Sequence, residues 1–288
     1  MTPLFPLIQP VLPHHLISRV VGAAANSTWP PLKRLLINQV SQHYDIRLDD
    51  YVIKDKEQFE SFNAFFTREL DPEARPLDVR PEGVACPVDG TVSQLGTIND
   101  DVIFQAKGKY YSAAALLGDD TKARDYAHGH FATLYLAPNN YHRIHMPLDA
   151  KLKSMLYVPG RLFSVNTQSA EHIDRVFARN ERVVAHFTTA RGPLAMVLVG
   201  ALNVGSIETV HQGIIAPSAL SKTTRWDYAR GQQLAFRKGE EFGRFNLGST
   251  VILLAGKDML EWSSELDAGS ALEMGMPIGD LSGTNDSS

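Results

Sequence analysis

Gly243-Arg244-Phe245-Asn246-Leu247-Gly248-Ser249-Thr250-Val251-Ile252-Leu253-Leu254 is the stretch on which the fold turns. Its first half is polar and closes on a glycine, which lets the backbone bend and approach a neighbour without a Cβ clash. Its second half is an unbroken apolar run, the texture of a buried strand. Ser249 therefore sits where a turn becomes a strand. The Gly-x-Ser-x-Gly elbow of the α/β-hydrolases is absent. Alone, Gly-Ser-Thr is an ordinary turn or bulge signal.

Outward from this stretch the texture repeats. Short β-branched runs alternate with glycine turns at Gly90–Val92, Val102–Phe104, Phe131–Leu136, Val183–Phe187, Ala195–Val199 and Val204–Ile207. Before about Val84 the pattern is helical. Leu16, Ile17, Val20 and Val21 recur at helical spacing, and Leu32, Leu35, Leu36 and Val40 follow Pro30-Pro31 in the same way. Glu57 to Leu70 reads as a third helix, with Phe59, Phe62, Phe65 and Phe66 on one side and Pro72 beyond it. The expected fold is α+β: N-terminal helices, then a mainly antiparallel β body. The boundary is expected near residue 80, giving a helical region 1–80 and a β-rich region 81–288. The tail after Gly269 is rich in Gly, Ser and acids and is expected to fray.

The 288 residues, 44% of them hydrophobic, can bury a substantial core. A formal net charge of −4 and the lack of any long Lys/Arg block argue against nucleic acid as a partner. The single cysteine, Cys86, rules out an internal disulfide and argues against a thiolate metal site. No apolar stretch reaches the length of a membrane span, and no cleavable signal peptide is expected. Charge is asymmetric. Met1 to Tyr44 holds Arg19, Lys33 and Arg34 and no acid, whereas Asp258 to the end holds acids and no Lys or Arg. A slightly basic, apolar N-terminus is compatible with an anionic bilayer interface, although packing on the core is the commoner fate of such helices.

Two further segments carry chemistry. In Cys86-Pro87-Val88-Asp89-Gly90-Thr91 the Asp-Gly pair is first a turn signal, and second a carboxylate able to orient a histidine. In Tyr141-His142-Arg143-Ile144-His145-Met146-Pro147, histidines three apart can share one side of a helical turn. Histidine is the usual base near neutral pH. A metal site would need further ligands that are not spaced nearby, so no metal is expected. Asp89, His145 and Ser249 could form a triad. Taken this far, a hydrolase, a self-cleaving enzyme and a non-catalytic β module all stay open.

These residues resemble those of the bacterial phosphatidylserine decarboxylases. The likeness runs from about residue 60 to 255. It is carried by Phe65-Phe66-Thr67-Arg68-Glu69-Leu70, Arg75-Pro76, Pro87-Val88-Asp89-Gly90, Tyr141 to Pro147, Pro159 to Asn166, Ala178 to Arg182, Gly205 to Thr209 and Leu247-Gly248-Ser249-Thr250. Asn140 is a departure, since an Asp is expected before Tyr-His. The resemblance implies that Asp89 orients His145, which deprotonates Ser249 for attack on the carbonyl of Gly248. It implies cleavage into chains 1–248 and 249–288, with Ser249 converted to a covalent pyruvoyl cofactor that acts as an electron sink. His142 is then the candidate to assist decarboxylation or proton delivery. The implied substrate is phosphatidylserine and the product phosphatidylethanolamine. The two chains would form a heterodimer, and a dimer of such heterodimers is compatible with this. The implied location is peripheral, on the cytoplasmic face of a bacterial cell membrane. Leu4, Phe5, Leu7, Ile8, Leu12, Leu16, Ile17 and Trp29 would enter the bilayer interface, and Arg19, Lys33 and Arg34 would meet lipid phosphates.

Overall fold

The apolar run after Ser249 becomes the strand Ser249–Ala255, hydrogen-bonded on one side to His130–Leu136 and on the other to Pro193–Val199. Successive side chains of a strand point to opposite faces. Val251, Leu253 and Ala255 thus enter one core cluster, and Ile252 and Leu254 enter another. Both faces are covered, which is why no polar alternation marks the sequence. The structure, a computed structural model, describes residue 9 and residues 12–202, 206–216, 222–228 and 234–283.

Among the described residues the main sheet has nine strands, paired antiparallel. From one edge they run Thr224–Asp227, Ala150–Val158, Arg182–Thr188, Pro193–Val199, Ser249–Ala255, His130–Leu136, Gly90–Thr97 and Ala271–Leu272, with Leu234–Phe236 also on Ala150–Val158. A second sheet orders Gly213–Ala216, Ser206–Thr209, Glu241–Asn246 and Arg143–His145. Core residues from both sheets meet: Leu134, Leu136 and Val251 from the first, Ile144, Ile207 and Phe245 from the second. The α+β expectation holds, as do the expected strands. Val204 and Gly205 lie outside the described residues, and that strand is described from Ser206.

The N-terminal helices are α1, His14–Ala25, and α2, Pro30–His43. α1 is inside out. His14, Ser18, Gly22 and Ala25 face the protein, while Leu16 and Val20 are 61% and 62% exposed. On α2, Ile37 and Ser41 are buried and Leu35 is exposed, as is Trp29 just before it. Leu36 and Val40 of α2 pack against the aromatic cluster of Phe62 and Phe66, so core packing accounts for most of the α2 stripe but not for Leu16 and Val20 of α1 or for Leu35.

Two expectations fail. The third helix is only Phe62–Phe66 (α3), because Ser61, in extended backbone, caps it by accepting the Ala64 N–H at 3.1 Å. All four phenylalanines are nevertheless buried, in a cluster with Ile37 and Tyr141. The tail does not fray as far as residue 283. Leu272 pairs with Gly90, and Pro277–Leu281 is the middle strand of a three-stranded sheet with Gly83–Ala85 and Leu260–Trp262. Leu272 and Ile278 are buried there, and they outweigh the loop-like composition around them.

Candidate active site

Three strand ends converge at one edge of the main sheet. Ser249, the first residue of its strand, pairs with Leu136, the last of its own. Asp89 precedes Gly90, which opens the adjacent strand. A Cβ at Gly90 would lie 2.3 Å from the Tyr135 carbonyl oxygen, so only glycine permits this approach. The second sheet delivers the histidines, and the His145 N–H donates to the Pro87 carbonyl at 2.9 Å. The fold thus gathers the ends that carry Asp89, His145 and Ser249.

The side chains are held separately. The Ser249 hydroxyl is buried and has no hydrogen-bond partner among the described residues. Nδ1 of His145 lies 2.8 Å from the Gly239 carbonyl, and Nε2 lies 2.8 Å from the Tyr141 hydroxyl. A carbonyl only accepts, so Nδ1 carries the proton and Nε2 accepts from Tyr141. Burial lowers the His145 pKa and raises that of Tyr141, so both are neutral. Asp89 accepts the Met274 N–H at 2.7 Å and an Arg75 N–H at 3.3 Å. Burial raises its pKa, and Met274 and Arg75 oppose that rise. The Asp89 charge favours protonation of His145, but the Gly239 carbonyl and Tyr141 are what orient the ring.

His142 is not on a helical turn with His145. It directly precedes the strand Arg143–His145, and the two rings have different surroundings. Its Nδ1–H donates to the Asn140 carbonyl at 2.8 Å, its ring centroid lies 4.1 Å from that of Phe66, and its Nε2 is buried without a partner among the described residues. Burial pushes its pKa down to about 3, leaving a neutral ring with a free lone pair. The Asn140 side chain accepts the Ala137 N–H at 2.8 Å and closes the turn, while its backbone carbonyl holds His142.

The two histidines lie towards different spaces, His142 behind Phe66 and His145 in a cleft wall. Phe66, against His142, lines an apolar cavity of about 390 Å³ with Val21, Leu36, Val40, Phe62, Leu247 and Gly248. His145 lines a polar cleft of about 270 Å³ with Arg75, Tyr141, Arg143, Glu241 and Met274. Arg143 is paired there with Glu241 at 3.0 Å and Glu69 at 3.2 Å.

Sequence reasoning missed Tyr141, Arg75, Gly239 and Met274. Tyr141 and Arg75 stood inside quoted motifs, but nothing local marked them as hydrogen-bond partners. Gly239 and Met274 act through backbone groups, which leave no side-chain signal. Lys33 and Arg34 were expected to meet lipid, yet Lys33 donates to the carbonyls of Glu57 and Phe59, and Arg34 pairs with Glu57 at 2.7 Å. Arg19 is exposed. Leu4, Phe5, Leu7 and Ile8 lie outside the described residues.

Comparison with known proteins places this arrangement in a family. Residues 62–280 match a family model described as phosphatidylserine decarboxylase, and residues 4–45 match a second, described as PSD. The phosphatidylserine decarboxylase proenzyme of Ectopseudomonas mendocina (strain ymp) is 49% identical over 278 residues, covering 96% of this chain and 97% of its own. That of Pseudomonas entomophila (strain L48) is 50% identical over 274 residues, covering 94% and 96%. That of Stutzerimonas stutzeri (strain A1501) is 49% identical over 278 residues, covering 96% and 94%.

Proposed function

This chain belongs to the phosphatidylserine decarboxylase family, and we propose how its residues carry out that activity. It is a proenzyme that processes itself and then converts phosphatidylserine to phosphatidylethanolamine for phospholipid biosynthesis. The bond that breaks is Gly248–Ser249. The observation that carries this assignment is the Ser249 hydroxyl: buried, unpartnered among the described residues, and next to the Gly248 carbonyl in sequence.

His145 takes the Ser249 hydroxyl proton as Tyr141 yields the Nε2 lone pair, and the Asp89 charge supports the imidazolium. The oxygen adds to the Gly248 carbonyl carbon, the C–N bond breaks, and the nitrogen leaves with the proton, turning amide into ester. Loss of the Ser249 Cα proton expels the Gly248 carboxylate and leaves dehydroalanine on the second chain. Water converts this end to a keto group and releases ammonia. Ser249 fits as the precursor because its oxygen is tied to no other group in the described structure. The pyruvoyl group so made supplies an electron sink that stabilises the carbanion left when carbon dioxide departs.

The chain's own residues supply the rest. His142, neutral and with Nε2 free, starts as a base and can deliver only a proton it has first collected. Phe66 and its neighbours keep water from that side. The apolar cavity at Gly248 suits an acyl portion of the lipid. No helix among the described residues is long and apolar enough to cross a membrane. The exposed Leu16, Val20, Trp29 and Leu35 suit peripheral insertion at the cytoplasmic face of a bacterial membrane, with Arg19 near lipid phosphates. On this reading residues 1–80 form the membrane-associating region and 81–288 the catalytic one.

A denaturing gel with intact-mass analysis tests the proposal. The purified protein should give chains 1–248 and 249–288, the second without a free amino terminus. Ser249→Ala should give a single chain, and a split at 248/249 in that variant would refute the mechanism.

A further inference from the structure

We propose that the Leu247 backbone holds strain that self-cleavage releases, which makes Leu247 a positioning residue for the scissile bond; this rests on the self-cleavage reading above. Leu247 has φ +94°, whereas the other described non-glycine residues with positive φ, Asp45, Asp100, Lys107, His128, Arg175 and Asp258, lie between 44° and 58°. Those six occupy the ordinary left-handed well near +57°. Leu247 lies outside it, where a side chain with a Cβ is strained.

The cause is the connection it makes. Asn246 ends a strand of the second sheet, in register with Ser206, and its side-chain amide is bonded to Ser206 and Asn63. Ser249 begins a strand of the main sheet, in register with Leu136. Two residues must cross between the sheets with both ends fixed. The glycine does not absorb the crossing. Gly248 is absent from the described glycines with positive φ, and a Cβ on it would meet nothing nearer than the Leu136 carbonyl oxygen at 3.9 Å. The leucine absorbs it, with its side chain packed against the aromatic cluster that contains Phe62 and Phe66. Splitting Gly248 from Ser249 frees the short link, so Leu247 can return to negative φ while Asn246 and Ser249 stay in register. The strain raises the starting state and is absent from the product.

The test compares Leu247→Ala with Leu247→Gly in the full chain. Both remove the apolar side chain, and they differ only in the Cβ that makes φ +94° costly. The chain is made by cell-free pulse synthesis and its splitting is followed on gels. The same pair in a Ser249→Ala background, which does not split, is melted to compare precursor stability. The alanine version should split roughly fivefold to a hundredfold faster than the glycine version. The glycine precursor should melt higher than the alanine precursor. Equal rates, or a faster glycine version, would overturn the proposal. So would a slower glycine version whose precursor melts lower, because that pattern means looseness rather than strain. Failure of the unsubstituted chain to split would instead remove the self-cleavage reading on which the proposal stands.

Discussion

Arg75→Gln tests whether Asp89 works through its charge. Arg75 and Asp89 are both largely buried, with side chains 13% and 8% exposed, and their nearest charged atoms are 3.3 Å apart. At an effective dielectric constant of 20 that separation corresponds to about 5 kcal/mol of attraction. Arg75 shares its charge with Asp50 at 2.9 Å and Glu273 at 3.9 Å, and glutamine keeps one donor, so the net loss should be about 3 kcal/mol. The sign follows from burial. Asp89 already sits above its ordinary 3.8, and loss of Arg75 pushes it further up, against only the Met274 N–H. A carboxyl raised on folding confers stability below its unfolded pKa and loses it as pH rises through the folded value. The stability deficit of Arg75→Gln should therefore be smallest in acid and grow towards neutral pH. On the proposed mechanism self-processing needs the charged carboxylate to support His145, so its acid limb should move to higher pH, with the rate recovering in base. Arg75→Lys should restore most of the profile. The measurement is pulse-chase splitting of the full chain from pH 5 to 9, with melting of the matching Ser249→Ala precursors. A rate lowered uniformly across that range, with the profile unmoved, would refute the electrostatic role and leave Arg75 a packing residue.

Two further outcomes are expected. His145→Ala should remain one chain, whereas His142→Ala should split yet lose decarboxylation by about 10²–10⁴-fold, as removal of a general acid-base group does; normal splitting of His145→Ala would sink the assignment of the base. Leu16→Asp with Val20→Asp should leave melting unchanged because both sites are exposed, yet cut sedimentation with phosphatidylserine-containing vesicles at least about tenfold, each lost insertion being worth about 1.5–3 kcal/mol; unchanged sedimentation would exclude α1 as the membrane contact.

The strands were legible in the sequence because burial on both faces writes itself as an apolar run, and Ser249–Ala255 is the clearest example. α1 and α2 were legible as helices, but not in orientation. An apolar stripe has the same period whether it faces a core or a bilayer, and only Ser18 and Gly22 on the buried face of α1 hint at its inversion, whereas Ile37, Leu36 and Val40 of α2 meet the core. Glu57–Leu70 was misread because four phenylalanines at helical spacing can be buried without one continuous helix, and a side-chain cap at Ser61 fixes the start. The tail was misread because strand pairing needs few apolar side chains when backbone partners are at hand. For the candidate site, residue types pointed to Asp89, His142, His145 and Ser249. Their partners were hidden, because Gly239, Asn140 and Met274 act through main-chain atoms, which carry no residue-type signal, and Gly239 and Met274 are also far away in sequence from the groups they hold. Gly248 misled in a subtler way. The bend was expected at the glycine, and the positive φ falls on the leucine beside it instead.

That the catalytic apparatus could outlast a backbone cut follows from the sheet pairing. The strand Ser249–Ala255 lies between two strands of the first chain and is hydrogen-bonded along nearly its whole length to both. Ala271–Leu272 pairs with Gly90 and Thr91, and Pro277–Leu281 pairs with Gly83–Ala85. Breaking Gly248–Ser249 removes none of these bonds. Asp89 makes the dependence mutual, because Arg75 holds it from one side of the cut and the Met274 N–H from the other. The acid proposed to support self-cleavage is therefore held in place by the fragment that cleavage creates. Loss of the second chain would leave its carboxylate without its shortest hydrogen bond, and removing a partner from a buried charged group costs about 1–3 kcal/mol or more. The processed enzyme should accordingly unfold as one unit, with chain 249–288 released only when the main sheet melts. Co-migration of the two chains on a native gel up to the global melting temperature is the expected result, and earlier release of the small chain would contradict it.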